Sequence, residues 1–334
     1  DVLPRPPTAM LSVVLACSGL MSTRLTSASP RGRSMRMQAP FNDPDFDAAT
    51  FASDELANTW VRAGKGRQLW QPGDKTDDLR LDVRLLHSAW VLYPPKLHVY
   101  DSCRLSTRAR LVLGWCKMPF VCEFYPYGEG ADPETCGGFG YSPSEGPSKL
   151  SGERRLPVMT GKGLPLRNGV EMLTEAMEIC SFAAGVSKEG KIATATGRSD
   201  LASWLVRAPP VVAALVRPRI VQLPLQEFAD ARDVEYATWE AGQAADTPEG
   251  ATDADLLGQL APMLEELEGM LRSTTEDDAP CLNAWGLSID DALILPLLRE
   301  LSCVAGVEWP AKLRAYVELQ CAKAGVEPFF ALAC

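Results

Sequence analysis

The chain has 334 residues, 46% of them hydrophobic and 23% charged, with a formal net charge of -10 at pH 7. Such a length can bury the core of about two domains, and the acidic balance argues against nucleic acid as a partner. Ten cysteines stand beside only two histidines, and no two cysteines form a Cys-x-x-Cys pair, which excludes the common structural zinc spacings and suits a reducing compartment.

Residues 1–38 read as a targeting presequence. Arg24, Arg31, Arg33 and Arg36 lie among many Ser and Thr, no acid occurs between Met10 and Gln38, and the apolar run Leu11 to Leu20 is too short to span a bilayer. The expected destination is an organelle, a plastid in particular. A disordered basic tail is the alternative reading of the same residues. The mature chain then begins near Ala39, and its lack of a further long apolar run predicts a soluble or peripheral protein. In the extension 39–94, Asp54 to Arg62 suits a short helix and Leu79 to His87 alternates like a strand. Trp60, Trp70 and Trp90 carry large apolar areas, so this extension is expected to pack on the body of the protein or on a partner.

From Lys96 the pattern changes. Lys96 to Tyr100 predicts a short strand and Thr107 to Leu113 a helix, with Cys103 at their junction. A thiol there faces the unpaired N–H groups of a helix start, and Arg104 and Arg108 add positive charge, a setting that favours thiolate. The plainer reading makes Cys103 one more small buried apolar residue. Pro119 to Phe124 predicts a second strand, and Tyr125 to Lys149, rich in Gly, Pro and Ser, a long loop holding Cys136. Arg155 to Met159 is strand-like around Pro157, and a second helix is expected from about Val170. Helical segments follow at Ser203 to Leu205, Val216 to Phe228 and Asp253 to Leu271, where apolar residues recur at helical spacing. Ser288 with Asp291 forms a capping pair for a helix containing Leu293, Ile294 and Leu297.

The order of strand, Cys103-Arg104-Leu105-Ser106, helix, apolar-Pro-apolar strand and helix is similar to a thioredoxin-like domain. The chain resembles glutaredoxins of the two-domain glutaredoxin 2 type, whose second domain is of glutathione-transferase kind. The segments Leu287 to Arg299 and Val304 to Pro310 resemble that family's closing helices. The resemblance implies an α/β thioredoxin-like domain at 95–185, a linker at 186–198 and an all-α domain at 199–334. It also implies glutathione as cosubstrate, glutathionylated proteins as partners, and thiol-disulfide exchange through Cys103. The family's second motif cysteine is replaced by Ser106, which leaves a monothiol route with Ser106 as hydrogen-bond donor to the thiolate. A cis bond is implied before Pro157, with the backbone of Leu156 pairing with the peptide-like ligand. Arg154 or Arg155 is the candidate for a ligand carboxylate. Where the family has Glu-Ser at the next helix start, the aligned residues are Asn168 and Gly169, so the acidic contact is expected to be lost, leaving backbone N–H groups to hold the ligand. Two alternatives stand beside the enzyme. One is a catalytically degenerate binding or assembly subunit docked on a larger organellar complex. The other is an iron-sulfur carrier, whose single-domain relatives carry a Cys-Gly-Phe-Ser motif that Arg104-Leu105 does not match.

Overall fold

The computed structural model describes Trp90 and residues 93–167, 169–187, 192–243, 251–272 and 280–334. Residues 1–38, the helix and strand expected over Asp54 to Arg62 and Leu79 to His87, Trp60, Trp70 and Asn168 lie outside the described residues. Five strands form one mixed sheet in the order β2-β1-β3-β5-β4. β1 (Lys96–Val99) runs parallel to β2 (Val121–Phe124) and antiparallel to β3 (Val158–Thr160), with Leu97 opposite both Cys122 and Met159. The parallel pair requires a crossover, and α1 (Arg104–Trp115) supplies it. The side chains of β1 alternate between two surroundings, as strand geometry demands. Leu97 and Val99 enter the main apolar core, whereas His98 on the other face bonds Tyr125 Oη and Thr160 Oγ1, each at 2.9 Å. That second face is covered by Tyr100, Leu156 and Val158, with Tyr125, Tyr127 and Leu150 of the long loop packed on them.

The helix expected from Val170 begins only at Ala176. Val170 itself opens β5 (Val170–Leu173), paired antiparallel with β4 (Leu166–Arg167) and with β3. Gly169 sits in the β4–β5 connection at φ 80°, a left-handed conformation that favours glycine, and Asn-Gly is a favoured two-residue hairpin pair. Helix α3 (Ala176–Val186) then packs against α1. Within the loop after β2, α2 (Pro147–Ser151) is a single short turn.

The C-terminal part is helical: α4 (Ser199–Ile220), α5 (Ala231–Gly242), α6 (Asp253–Met270), α7 (Ile289–Leu301) and α8 (Ala311–Ala324). The helix expected over Val216 to Phe228 is two pieces. α4 stops at Ile220, and after Pro224, which has no N–H to continue the ladder, a 3-10 turn spans Gln226–Phe228. By length and composition α4 could cross a membrane, but it packs against α6 and α7, with Trp204 Nε1 donating to the Met263 carbonyl at 2.8 Å. The Ser288 capping pair forms as expected. Asp291 Oδ2 accepts from the Ser288 N–H at 2.8 Å, and Asp291 Oδ1 accepts from Leu282 N–H and Tyr316 Oη, so the start of α7 is tied into the core. Asp290 accepts from the Thr196 hydroxyl at 2.7 Å, which pins the segment before α4 to the same helix start.

α1 lies between the two parts, against α3 on one side and α7 and α8 on the other. Gly114 allows that approach, because a Cβ there would stand 2.2 Å from the Ala324 carbonyl oxygen. Trp90 is buried, stacks edge-on against Phe182 at 5.8 Å and donates to the Lys162 carbonyl at 2.8 Å, so this end of the extension packs on the body.

Candidate functional site

Cys103 is the N-cap residue of α1, in extended conformation, with its Sγ 4.0 Å from the Leu156 carbonyl oxygen. The Leu156–Pro157 bond is cis, as the resemblance implies. The two segments meet because β3 runs beside β1, which brings the residue before β3 to the loop after β1.

The expected lowering of the Cys103 thiol is overturned. Burial pushes it above its ordinary value, opposed by the N–H and hydroxyl of Ser106 and the N–H of Leu105, while the Glu300 carboxylate pushes it further up. The arginines do not act as expected because both are engaged elsewhere. Arg104 Nε and Nη2 donate to Glu300 Oε2 at 2.9 and 2.7 Å, and Arg108 is buried with Nε donating to the Ala292 carbonyl at 3.2 Å. Ser106 is fully buried, and its hydroxyl has no acceptor among the described residues, leaving it free to turn toward the sulfur. The structure therefore brings together Cys103, Ser106, Leu156 and Pro157.

It separates others. Gly169 belongs to the β4–β5 hairpin, not to a helix start, and Asn168 beside it is outside the described residues. The residue that occupies the start of α3 is Glu175, its N-cap, with Ala176 following. The acidic group expected to be missing is therefore present. Glu175 makes no capping bond with its own side chain, burial raises its carboxyl, and the nearby Arg155 opposes that rise. The Asn-Gly pair before Val170 was the sequence signal that could have placed this helix later.

Arg154 is already committed. Its guanidinium lies 4.6, 5.2 and 5.9 Å from the ring centroids of Tyr236, Tyr127 and Tyr100, donates to Tyr236 Oη at 3.1 Å and to the Tyr127 carbonyl, and stands 3.9 Å from Glu240. It ties the long loop to α5. Arg155, whose ion pair among the described residues is with Glu153 at 3.2 Å, is the more available of the two.

Three charged residues around Cys103 come from the helical part and carry no local sequence signal. Besides Glu300, Arg299 donates to the Asp101 carbonyl at 2.5 Å and to its carboxylate at 2.7 Å, and the Glu227 carboxylate accepts from the N–H groups of Asp101 and Ser102. Burial alone would raise the Asp101 carboxyl, but Arg299 and Arg110 hold it below the usual range.

Residues 200–333 match the family described as glutaredoxin 2, C terminal domain. The chain is 23% identical to glutaredoxin 2 of Escherichia coli K12 over 230 residues, which cover 66% of this chain and 91% of the relative. A solved structure of glutaredoxin 2 from Salmonella typhimurium, in complex with glutathione, superposes at a TM-score of 0.58 with 22% identity, over 72% of this chain and 99% of that one. The chain is therefore similar to the glutaredoxin 2 proteins in sequence and fold, with the family's C-terminal domain matched over residues 200–333. Its mixed sheet is the thioredoxin-like part and its helices from Ser199 the glutathione-transferase-like part. Against that pattern the glutaredoxin 2 type signature is incomplete here at Ser106, where the family's second thiol is expected, and at Ala176, which follows Glu175 where the family has serine.

Proposed function

We infer that the protein is a glutathione-dependent thiol-disulfide oxidoreductase of monothiol type. The observation that carries the reading is the placement of Cys103 Sγ at the start of α1, 4.0 Å from the Leu156 carbonyl. Glutathione binds along Leu156, its γ-glutamyl ammonium meets Glu175, and its carboxylate meets the free N–H groups at the start of α3. The Cys103 thiolate attacks the glutathione sulfur of a glutathionylated protein. The S–S bond breaks and the protein leaves as a thiolate that takes up a proton. A second glutathione thiolate then attacks the Cys103 mixed disulfide, releasing oxidised glutathione and restoring the Cys103 thiolate. Ser106 forms no disulfide; it donates its hydroxyl hydrogen bond to the thiolate.

The test is deglutathionylation of a small mixed disulfide by the full chain, with Cys103→Ser beside it. Turnover that disappears in the variant supports the reading. Absence of turnover in both overturns it in favour of a binding or assembly subunit, a second reading favoured by the upward shift of the half-buried Cys103 thiol and the pairing of Arg104 with Glu300. Residues 1–38 are proposed to direct the chain to a plastid, which a fluorescent fusion with and without those residues tests.

A further inference from the structure

The Asp101-Ser102 segment lies between β1 and α1, outside any ladder, so its backbone N–H groups need acceptors from elsewhere. Glu227 supplies both. It sits in the 3-10 turn after α4, is 0% exposed, and its Oε2 and Oε1 take the N–H of Asp101 and, at 2.8 Å, the N–H of Ser102. The backbone of the same turn is fixed to the long loop, where Tyr127 N–H donates to the Glu227 carbonyl at 2.9 Å. Arg299, 2% exposed, holds the carbonyl and carboxylate of Asp101 from the opposite side, and Arg110 also donates to that carboxylate. The next residue along the chain is Cys103.

We propose that Glu227 is a positioning residue of the reactive centre: its ionised carboxylate, delivered by the helical domain, fixes the Asp101-Ser102 backbone and thereby holds the Cys103 thiol at the start of α1 against Leu156. The inference rests on the reading of Cys103 as the nucleophile. An ionised carboxylate accepts on both oxygens, whereas a protonated one carries an O–H that has to turn away from one of the two N–H groups. Buried N–H groups are costly to leave unpaired, so weakening of the second acceptor loosens this segment. Burial pushes the Glu227 carboxyl up to about 7 despite the N–H groups of Ser102 and Asp101 and the Ser102 hydroxyl. The titratable groups facing it are Asp101, whose charge is taken by Arg299 and Arg110, and Tyr100 at the end of β1, which burial keeps protonated. The segment before the nucleophile is accordingly held on both N–H groups above neutral pH and released on one of them below it.

The experiment is the rate of alkylation of Cys103 by iodoacetamide in the full chain, followed on the Cys103 peptide by mass spectrometry from acid to alkaline pH, in the wild type and Glu227→Gln. The wild type is expected to show an inflection near pH 7 below the thiol's own rise. The glutamine variant is expected to lose that inflection and to react roughly three- to tenfold more slowly above it, as befits loss of one charge-assisted hydrogen bond. A variant that melts earlier but keeps the inflection overturns the proposal, since that is what a purely structural role predicts. Should the variant not fold, the wild type decides alone: a single inflection at the thiol titration overturns it. Alkylation needs no glutathione, so this result is separate from success or failure of deglutathionylation.

Discussion

The reactivity of Cys103 is a balance struck by its immediate neighbours. Helix-start N–H groups and the Ser106 hydroxyl stabilise the thiolate, while burial and Glu300 oppose it. Glu300 acts twice, since it also takes the Arg104 guanidinium at 2.7 Å, a cation that would otherwise serve the sulfur. Glu300→Gln is therefore expected to lower the thiol titration midpoint and to raise Cys103 alkylation near neutral pH by roughly threefold. Ser106→Ala is expected to do the reverse, because it removes a hydroxyl that favours the thiolate over the neutral thiol. Both are read by alkylation against pH. An unchanged midpoint in the glutamine variant would mean that the Arg104–Glu300 pair is too far from the sulfur to act on it.

At the scale of elements, the start of α3 decides how a peptide-like ligand is held. Glu175→Gln removes the N-cap carboxylate, leaving Glu178 of the first turn paired with Arg167, and is expected to weaken glutathione binding by about tenfold, the worth of a charge-assisted hydrogen bond, as measured by calorimetry. Gly169→Ala is expected to leave that affinity unchanged while destabilising the chain by about 1 kcal/mol, since an L side chain at φ 80° is strained. The contrast separates the two positions that the sequence alone confused. Alternation in Lys96 to Val99, the helical run after Cys103 and the Ser288–Asp291 box are local patterns, and each forms where the pattern placed it. The β4–β5 hairpin was missed because a strand of two residues and one of four carry too little alternation to outweigh an aligned family motif, although Asn-Gly was the stronger clue. Glu227, Arg299 and Glu300 could not be found from their surroundings in the chain, since they meet the Cys103 loop only after α4 and α7 have packed. The same holds for Arg154, whose cage of tyrosines is drawn from the residue after β1, the long loop and α5.

Across the whole molecule, the reactive segment is built by charges that the helical domain buries, and burial of that kind has a stability cost that depends on pH. Glu227 is the clearest case. Its carboxyl is raised from 4.5 to about 7, so between those values the folded chain keeps a proton that the unfolded chain has lost. Its contribution is most favourable below 4.5, declines as pH rises through that window and is constant above it. His98 runs the other way. Burial lowers its imidazole, so the folded state loses stability as pH falls below 6.5, and Asp101, held low by Arg299 and Arg110, matters only in stronger acid. The wild-type profile mixes these opposing slopes, but the difference between Glu227→Gln and wild type isolates one of them, because glutamine does not titrate. Urea unfolding at pH 5, 6, 7 and 8 is expected to show the variant gaining on the wild type as pH rises, by up to about 3 kcal/mol at 1.36 kcal/mol per unit. A difference that stays flat over this range would place the Glu227 titration at its ordinary value and remove the link between loop and pH. A rising difference would mean that the ionisation which fixes the segment before Cys103 is the same one that lowers the stability of the fold.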